Sequence, residues 1–490
     1  MKWFYTSRFA EIIVTLLTWV TVTTPLWLSP FHPAIVAYGI IAFNIYFFFQ
    51  SVKTTVNSIK SYMMLTKHSH IDYRAKLLGL SEESQKDIQH FVIIPCFKET
   101  VEKLSETIDC IANGDYPYAQ NITIVLGFEK RETEAPQKAE VLLEKYKGRI
   151  TCLVTYHELT PAEVPGKASN QTWAAKEISQ ICVERGYDPN LVICTIGDAD
   201  SKFPANYFSY LTYEFIRDAN RYYHFYWAPV LLYNNFWELS FFVRMQASLS
   251  SIVRLAHLQE KEKLIQISTY SVNLKLIQDI GYWDVDIIPE DWHIHLQAFF
   301  AYGDRIRTIP LYTIVNGDAV NSGSMYRSLL SRYEQEKRWA WGVSDIAYAW
   351  KRSFETPHIP VMKKISKILF IMKIHLLWPT SFFILTVFAT VTPLINPVFK
   401  RSVMGFILPQ VSGIILTTAS SMLIVYTILD IKIRQRLNIQ TKPLNFIFLA
   451  LQWYILPFVS FFLSALPALD AHTRMLLGKK LVYKVTEKSK

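Results

Sequence analysis

Apolar residues are unevenly spread along the chain. Long uninterrupted apolar runs lie at both ends, and short ones separated by polar helical stretches fill the middle. Residues 10–28 are uncharged apart from Glu11, and residues 34–49 form a second such run ending in Tyr46-Phe47-Phe48-Phe49. Each comes near the ~20 residues a helix needs to cross a bilayer. The link Ser29-Pro30-Phe31-His32-Pro33 has no Lys or Arg. Lys2 and Arg8 precede the first run, and Lys53, Lys60, Lys67, Arg74 and Lys76 follow the second. Because positive charge collects on the cytoplasmic side, the pattern predicts a hairpin with both ends in the cytoplasm. The first run is too long for a signal peptide and lacks a small-residue cleavage site.

The chain turns apolar again at Val361. Between Val361 and Lys373, Lys363, Lys364, Lys367 and Lys373 are set among Ile, Leu, Phe and Met, which suits a helix lying in the membrane interface. Residues 374–391, 403–429 and 444–466 are further span candidates. Lys432, Arg434, Arg436 and Lys442 place the loop between the last two in the cytoplasm. Three spans would carry the tail outside, yet the tail holds Arg474, Lys479, Lys480, Lys484, Lys488 and Lys490. A re-entrant or broken last segment around Pro457 reconciles the two signals and keeps the tail cytoplasmic. Gln410, Ser412, Thr417, Thr418, Ser420 and Ser421 either line a polar path or let helices pack closely. The expected organisation is a membrane hairpin (1–50), a cytoplasmic linker (51–84), a soluble domain (85–355), an interfacial helix (356–373), a membrane region (374–468) and a basic tail (469–490).

In the middle of the chain the period changes. Phe91–Pro95, Ile122–Leu126, Ile150–Thr155 and Leu191–Ile196 are short β-prone apolar runs. Between them, Thr100–Ala112, Pro136–Lys147 and Ala168–Cys182 read as helices. Alternation at this spacing predicts an α/β fold with a parallel sheet. Ligands of such sheets gather at the carboxyl ends of the strands.

Composition adds two points. The chain of 490 residues is 51% hydrophobic with mean hydropathy +0.15, too oily for an ordinary soluble protein. Its net charge of +10 borders the apolar segments, which favours a bilayer and not nucleic acid as the partner. Cys96, Cys110, Cys152, Cys182 and Cys194 all fall in the central region without a C-x-x-C, as reduced core residues of a cytosolic domain would.

Candidate chemistry sits where the short apolar runs end. The run to Ile196 leads into Gly197-Asp198-Ala199-Asp200, where two carboxylates either share a hard divalent cation or cap the following helix. Val92-Ile93-Ile94-Pro95-Cys96-Phe97-Lys98-Glu99 ends a strand in Pro and reaches an acid after a short turn. Lys167, in Pro165-Gly166-Lys167-Ala168-Ser169-Asn170, stands at a helix start, where it either meets phosphate or is a surface lysine. Glu290 and Asp291, in Ile288-Pro289-Glu290-Asp291-Trp292, are either a general base and its neighbour or acids favoured by a helix N-terminus. His293 and His295 read as packing, since no third His or Cys completes a metal spacing. In Gln335-Glu336-Lys337-Arg338-Trp339, Arg338 can pair with a diphosphate and Trp339 can stack, or the stretch is an amphipathic helix at the membrane.

Taken in order, Asp-x-Asp, Glu-Asp and Gln-x-x-Arg-Trp resemble the family 2 inverting glycosyltransferases. The likeness covers about residues 88–345 and is greatest to their membrane-bound branch of cellulose, hyaluronan and poly-N-acetylglucosamine synthases. The resemblance implies a nucleotide-sugar glycosyltransferase A-type (Rossmann-like) domain. It further implies a UDP-sugar donor by default, a glycan or lipid-linked acceptor, and Mg²⁺ or Mn²⁺ as cofactor. By the same likeness Asp291 is the base with Glu290 beside it, and Asp200, with Asp198, holds the metal. Pro95, Glu99, Glu129, Lys167, Asp198, Ala199 and Arg338 line the nucleotide-sugar site, and Gln335, Arg338 and Trp339 close over donor and acceptor. Residues 266–273 fall where the family has its acceptor-side loop, and Gly281-Tyr282 replaces a family Gly-Gly pair. The sequence departs from the family in the second strand. Ile124-Val125-Leu126-Gly127-Phe128-Glu129-Lys130-Arg131-Glu132 has no Asp-Asp, and Glu129 is the nearest substitute. Three functions follow as expectations: a polymerising synthase, a single-sugar transferase to a lipid carrier or glycolipid, and an inactive scaffold or export partner.

Overall fold

A computed structural model describes residues 6–80, 85–440, 447–449 and 451–481. Lys2, the loop residue Lys442 and the tail residues Lys484, Lys488 and Lys490 lie outside them. The chain forms two compact units. One gathers the described residues of Met1–Lys60, Leu239–Ala256 and Val320–Val482; the other gathers those of Ser61–Glu238 and His257–Ala319. Residues 239–256 and 320–355, expected inside the soluble domain, therefore pack within the first unit.

The second unit is built on a seven-stranded sheet. Its strands are β1 (Gln89–Cys96), β2 (Ile122–Glu129), β3 (Thr151–His157), β4 (Val192–Ile196), β5 (His224–Trp227), β7 (Tyr270–Asn273) and β8 (Arg307–Pro310). The order is β3-β2-β1-β4-β7-β5-β8, and β6 (Val230–Leu231) pairs separately with β9 (Val315–Asn316). β1 to β4 are parallel, as their helical spacing predicts. β7 is not: it runs antiparallel to both β4 and β5, so the sheet is mixed. β4 is buried at every position and β2 likewise, as strands covered on both faces must be. Cys96 ends β1 and Cys194 lies inside β4; both are buried, and all five thiols are free. Successive strands step outward from β1 to β3, and the chain then crosses to β4 on the other side of β1. That reversal opens a crevice at the carboxyl ends of β1 and β4.

Apolar helical runs cover Ser7–Leu28, Pro33–Ser69, Val361–Ile395, Val403–Arg436 and Ile447–Leu476, and each is long and apolar enough to cross a membrane; all belong to the first unit except the end of the second run, from Ser61 on. The separate interfacial helix expected over 356–373 is instead the beginning of a helix, Val361–Phe382, that runs on past Lys373. Nothing between Lys373 and Ile374 breaks it, since the first proline inside is Pro379. A π segment, Phe383–Val387, follows within the first turn after that proline. The last run is broken around Pro457: a 3₁₀ turn, Gln452–Ile455, precedes it and a π segment, Phe461–Ala465, follows. Proline removes a helix donor and clashes with the preceding turn, which accounts for the tightened turn before Pro457.

Candidate active site

β4 delivers Asp198 and Asp200 to the crevice, and the Gly197 N–H donates to the Ile93 carbonyl of β1 at 3.0 Å. The two carboxylates face different partners. Asp198 Oδ1 accepts from Lys167 Nζ at 2.8 Å, and its Oδ2 accepts from the Ser268 hydroxyl. Asp200 is buried; its Oδ2 accepts from the Asp318 N–H at 2.7 Å.

Lys167 is the first residue of the helix Lys167–Arg185. Its ammonium lies 3.2 Å from Glu290 Oε1 and donates to the Ser268 carbonyl at 3.0 Å. Burial alone would lower the lysine's proton affinity, but the carboxylates of Asp198 and Glu290 outweigh it and hold Lys167 well above the usual range. Glu290 and Asp291 open the helix Glu290–Tyr302. Asp291 Oδ2 accepts from the Ser268 N–H at 2.8 Å, and Oδ1 accepts from the Trp292 N–H at 2.9 Å. The Gln266 side chain donates to the Asp291 carbonyl at 2.9 Å. Lys167, Asp198, Ser268, Asp291 and Glu290 thus close a ring.

Burial pushes the Asp291 carboxyl up to about 7, and the charge of Glu290 adds to the rise; the Ser268 N–H and Lys167 oppose it. A base must be unprotonated to act. The rate of a reaction that uses Asp291 as base therefore climbs as pH rises through about 7 and is lost below it. A pH profile of kcat checks this, and an acid limb near pH 4 would contradict it.

Pro95 and Glu99 sit at the end of β1, where Glu99 accepts from the Phe97 N–H. Glu129, at the end of β2, is buried and pairs with Arg131, whose guanidinium lies 4.1 Å from the Phe97 ring centroid. The acid that closes this corner is Glu132, which the sequence did not single out. It takes the Lys98 N–H at 2.9 Å and Lys138 Nζ at 2.6 Å. Its only sequence signal is the Glu-Lys-Arg-Glu cluster itself.

Gly127 of β2 is needed for a close approach. Its carbonyl accepts from Asn170 Nδ2 at 2.7 Å, and a Cβ there would meet Asn170 Oδ1 at 2.4 Å. Asn170 is buried in the Lys167 helix and has little room to move. Gly127→Ala is expected to cost about 1–3 kcal/mol, read as a lowered midpoint of thermal unfolding.

His293 pairs with Asp284 at 2.8 Å and His295 with Gln266 at 3.3 Å, consistent with packing roles. Tyr282, in place of the second family glycine, adopts φ +69° directly after Gly281 at +82°.

Gln335, Arg338 and Trp339 belong to the first unit, on the helix Met325–Ala340. There two guanidinium groups lie over the Trp339 ring, Arg332 at 4.7 Å and Arg254 at 5.7 Å from its centroid. Arg332 pairs with Glu336 and donates to Gln335 Oε1, and its Nε donates to Gln246 Oε1 at 2.8 Å. Gln246 Nε2 in turn donates to Glu336 at 2.8 Å and to the Leu463 carbonyl, in the second π segment, at 2.8 Å.

The family model described as glycosyl transferase family group 2 matches residues 193–466, more than half of the chain. The chain belongs to that family. This glycosyltransferase is also similar to solved structures. A mannosyltransferase from Pyrobaculum calidifontis in complex with GDP-Man and Mn²⁺ shares 15% identity, covering 77% of this chain and 99% of that one, with TM-score 0.41. S. aureus TarS 1–349 in complex with UDP-GlcNAc shares 13%, covering 71% and 92%, with TM-score 0.38. GalNAc-T7 with UDP, GalNAc and Mn²⁺ shares 11%, covering 61% and 62%, with TM-score 0.37. No curated protein matches the chain. The assignment rests on the family match.

A divalent cation is implied by the family likeness. Among the described residues no three His, Cys, Asp or Glu side chains gather as a ready-made metal cage. The donor set still suits Mg²⁺ or Mn²⁺, because such ions take one or two carboxylates and complete their shell with water and substrate phosphate. Asp200 offers one buried carboxylate. Beside it Asp318 carries a buried Oδ1 without a hydrogen-bond partner among the described residues, while Lys103 lies 2.9 Å from its Oδ2.

Proposed function

We propose that this glycosyltransferase is embedded in the cell membrane and moves a sugar from a nucleotide-sugar to a glycan or lipid-linked acceptor with inversion. The observation that carries the reading is the ring of Lys167, Asp198, Ser268, Asp291 and Glu290 at the strand ends, with the Asp291 carboxyl raised to about 7. Asp291 takes the proton of an acceptor hydroxyl as that oxygen bonds to the anomeric carbon. The bond from that carbon to the diphosphate breaks in the same displacement, through an oxocarbenium-like state. Lys167 and Asp198 hold the nucleotide side. Mg²⁺ or Mn²⁺ held by Asp200, when bound, supplies positive charge to the departing diphosphate.

UDP is the default donor nucleotide. The second strand bears on this choice, because Glu129, the nearest substitute for the family's Asp pair, is already paired with Arg131. The lysine-rich flanks of the apolar runs support a cytoplasmic catalytic domain. Polysaccharide synthesis is favoured by the Gln335-x-x-Arg338-Trp339 likeness.

The test uses the full chain in nanodiscs with a panel of nucleotide sugars, Mg²⁺ or Mn²⁺, and lipid and glycan acceptors. Release of nucleoside diphosphate from one donor supports the transferase and names its sugar. A product ladder separates polymer synthesis from single addition. Silence across the panel in folded protein favours an inactive scaffold.

A further inference from the structure

Ser268 has a left-handed backbone, φ +68°, which is costly for any residue but glycine. Such conformations persist only where the surroundings hold them. Both flanks are held here. Gln266, fully buried, donates to the Asp291 carbonyl at 2.9 Å and accepts from the Thr308 hydroxyl at 3.0 Å. On the other side, the Thr269 hydroxyl lies 3.0 Å from the Ser201 hydroxyl, and Ser201 Oγ accepts from the Asp198 N–H at 3.1 Å.

All three polar atoms of Ser268 meet a different charged group of the site. The N–H donates to Asp291, the hydroxyl donates to Asp198, and the carbonyl accepts from Lys167. A glycine would take this conformation more cheaply but would lack the hydroxyl.

We propose that Ser268 is a positioning residue that ties the donor-side carboxylate Asp198 to the base Asp291 through a single residue of strained backbone. The inference rests on the reading of Asp291 as base and Asp198 as donor contact. One arm of Ser268 fixes the Asp198 carboxylate against Lys167, and the other aims Asp291. Glu290 and Lys167 are the other charged groups facing Asp291, and the Tyr270 hydroxyl, kept neutral by burial, is the further titratable group there.

Two substitutions separate the arms, measured on the full chain in nanodiscs with the donor that supports release. Ser268→Gly keeps the N–H and suits the backbone but removes the hydroxyl. The donor KM is expected to rise about tenfold, as loss of a hydrogen bond to a charged group does, with the acid limb of kcat unmoved. Ser268→Thr keeps the hydroxyl, but its branched Cβ opposes a positive φ and displaces the peptide. Loss of the N–H from the Asp291 carboxylate raises its proton affinity, so the acid limb is expected to move to higher pH. A donor KM within twofold of wild type in Ser268→Gly would overturn the proposal. So would equal losses of kcat in both variants with an unmoved limb, which is what a purely structural role predicts. If wild type turns over no donor, the transferase reading fails by itself. Ser268 is then judged by pH-difference infrared, in which the carboxyl band removed by Asp291→Asn must titrate at higher pH in Ser268→Thr; an unshifted band overturns it.

Discussion

Asp291→Asn is expected to lower kcat by ~10²–10⁴ or more while leaving the donor KM close to wild type, because a general base contributes about that much. The amide keeps the shape of the carboxylate, and its oxygen can still accept the Ser268 N–H. The ring of Lys167, Asp198 and Ser268 is left intact on the donor side. What is lost is the ability to take a proton, and the residual rate should lack the acid limb near pH 7. Nucleoside diphosphate release by the purified variant, set beside wild type across pH 5 to 9, is the measurement. Equal release from both would show that another group is the base.

Arg332→Ala is expected to destabilise the first unit by about 3–5 kcal/mol, the scale seen when one partner of a buried ion pair is removed. Arg332 and Glu336 are both nearly inaccessible, with side chains 5% and 6% exposed. Burial raises the Glu336 carboxyl above the usual range and lowers Arg332, and the charge of each opposes the shift of the other. Removing the arginine leaves Glu336 with the Gln246 amide and the charge of Arg254, and it strips one of the two guanidinium groups from Trp339. Replacing both members by apolar residues of similar volume, Arg332→Met with Glu336→Leu, is expected to cost far less than either single loss. Thermal unfolding in detergent distinguishes the cases. A single variant as stable as wild type would mean that the pair is open to water.

These two sites were not equally legible in the sequence. β1 to β4 could be read because each is an apolar run that ends abruptly in Pro, Gly or a charged residue, and because helices of regular length part them. β5 to β9 span two to four residues each and carry no period of their own. β7 is also antiparallel, and nothing in Tyr270-Ser271-Val272-Asn273 announces the direction in which a strand runs. Lys167, Asp198, Glu290 and Asp291 stand at element ends, where charged residues after apolar runs are conspicuous, and they do meet. Ser268 lies in a polar stretch, Gln266-Ile267-Ser268-Thr269, and its part depends on a backbone angle that sequence does not display. Arg332 and Gln246 were missed for another reason. Their partners lie 86 residues apart in sequence, and only packing brings Gln246 beside the Met325–Ala340 helix. The run Val361–Phe382 shows the limit of reading composition. A change from lysine-rich to apolar does not end a helix when no proline, glycine or cap stands at the change.

The five free thiols all belong to the second unit, and Cys96, Cys182 and Cys194 are buried there. Burial pushes the thiols of Cys96 and Cys194 up, so neither ionises at neutral pH while the sheet is closed. Thiolate is the species that electrophiles attack. Alkylation at these positions therefore waits on an opening of β1 or β4, and its rate reports how readily that sheet opens, without contribution from the long apolar helices, whose described residues hold no cysteine.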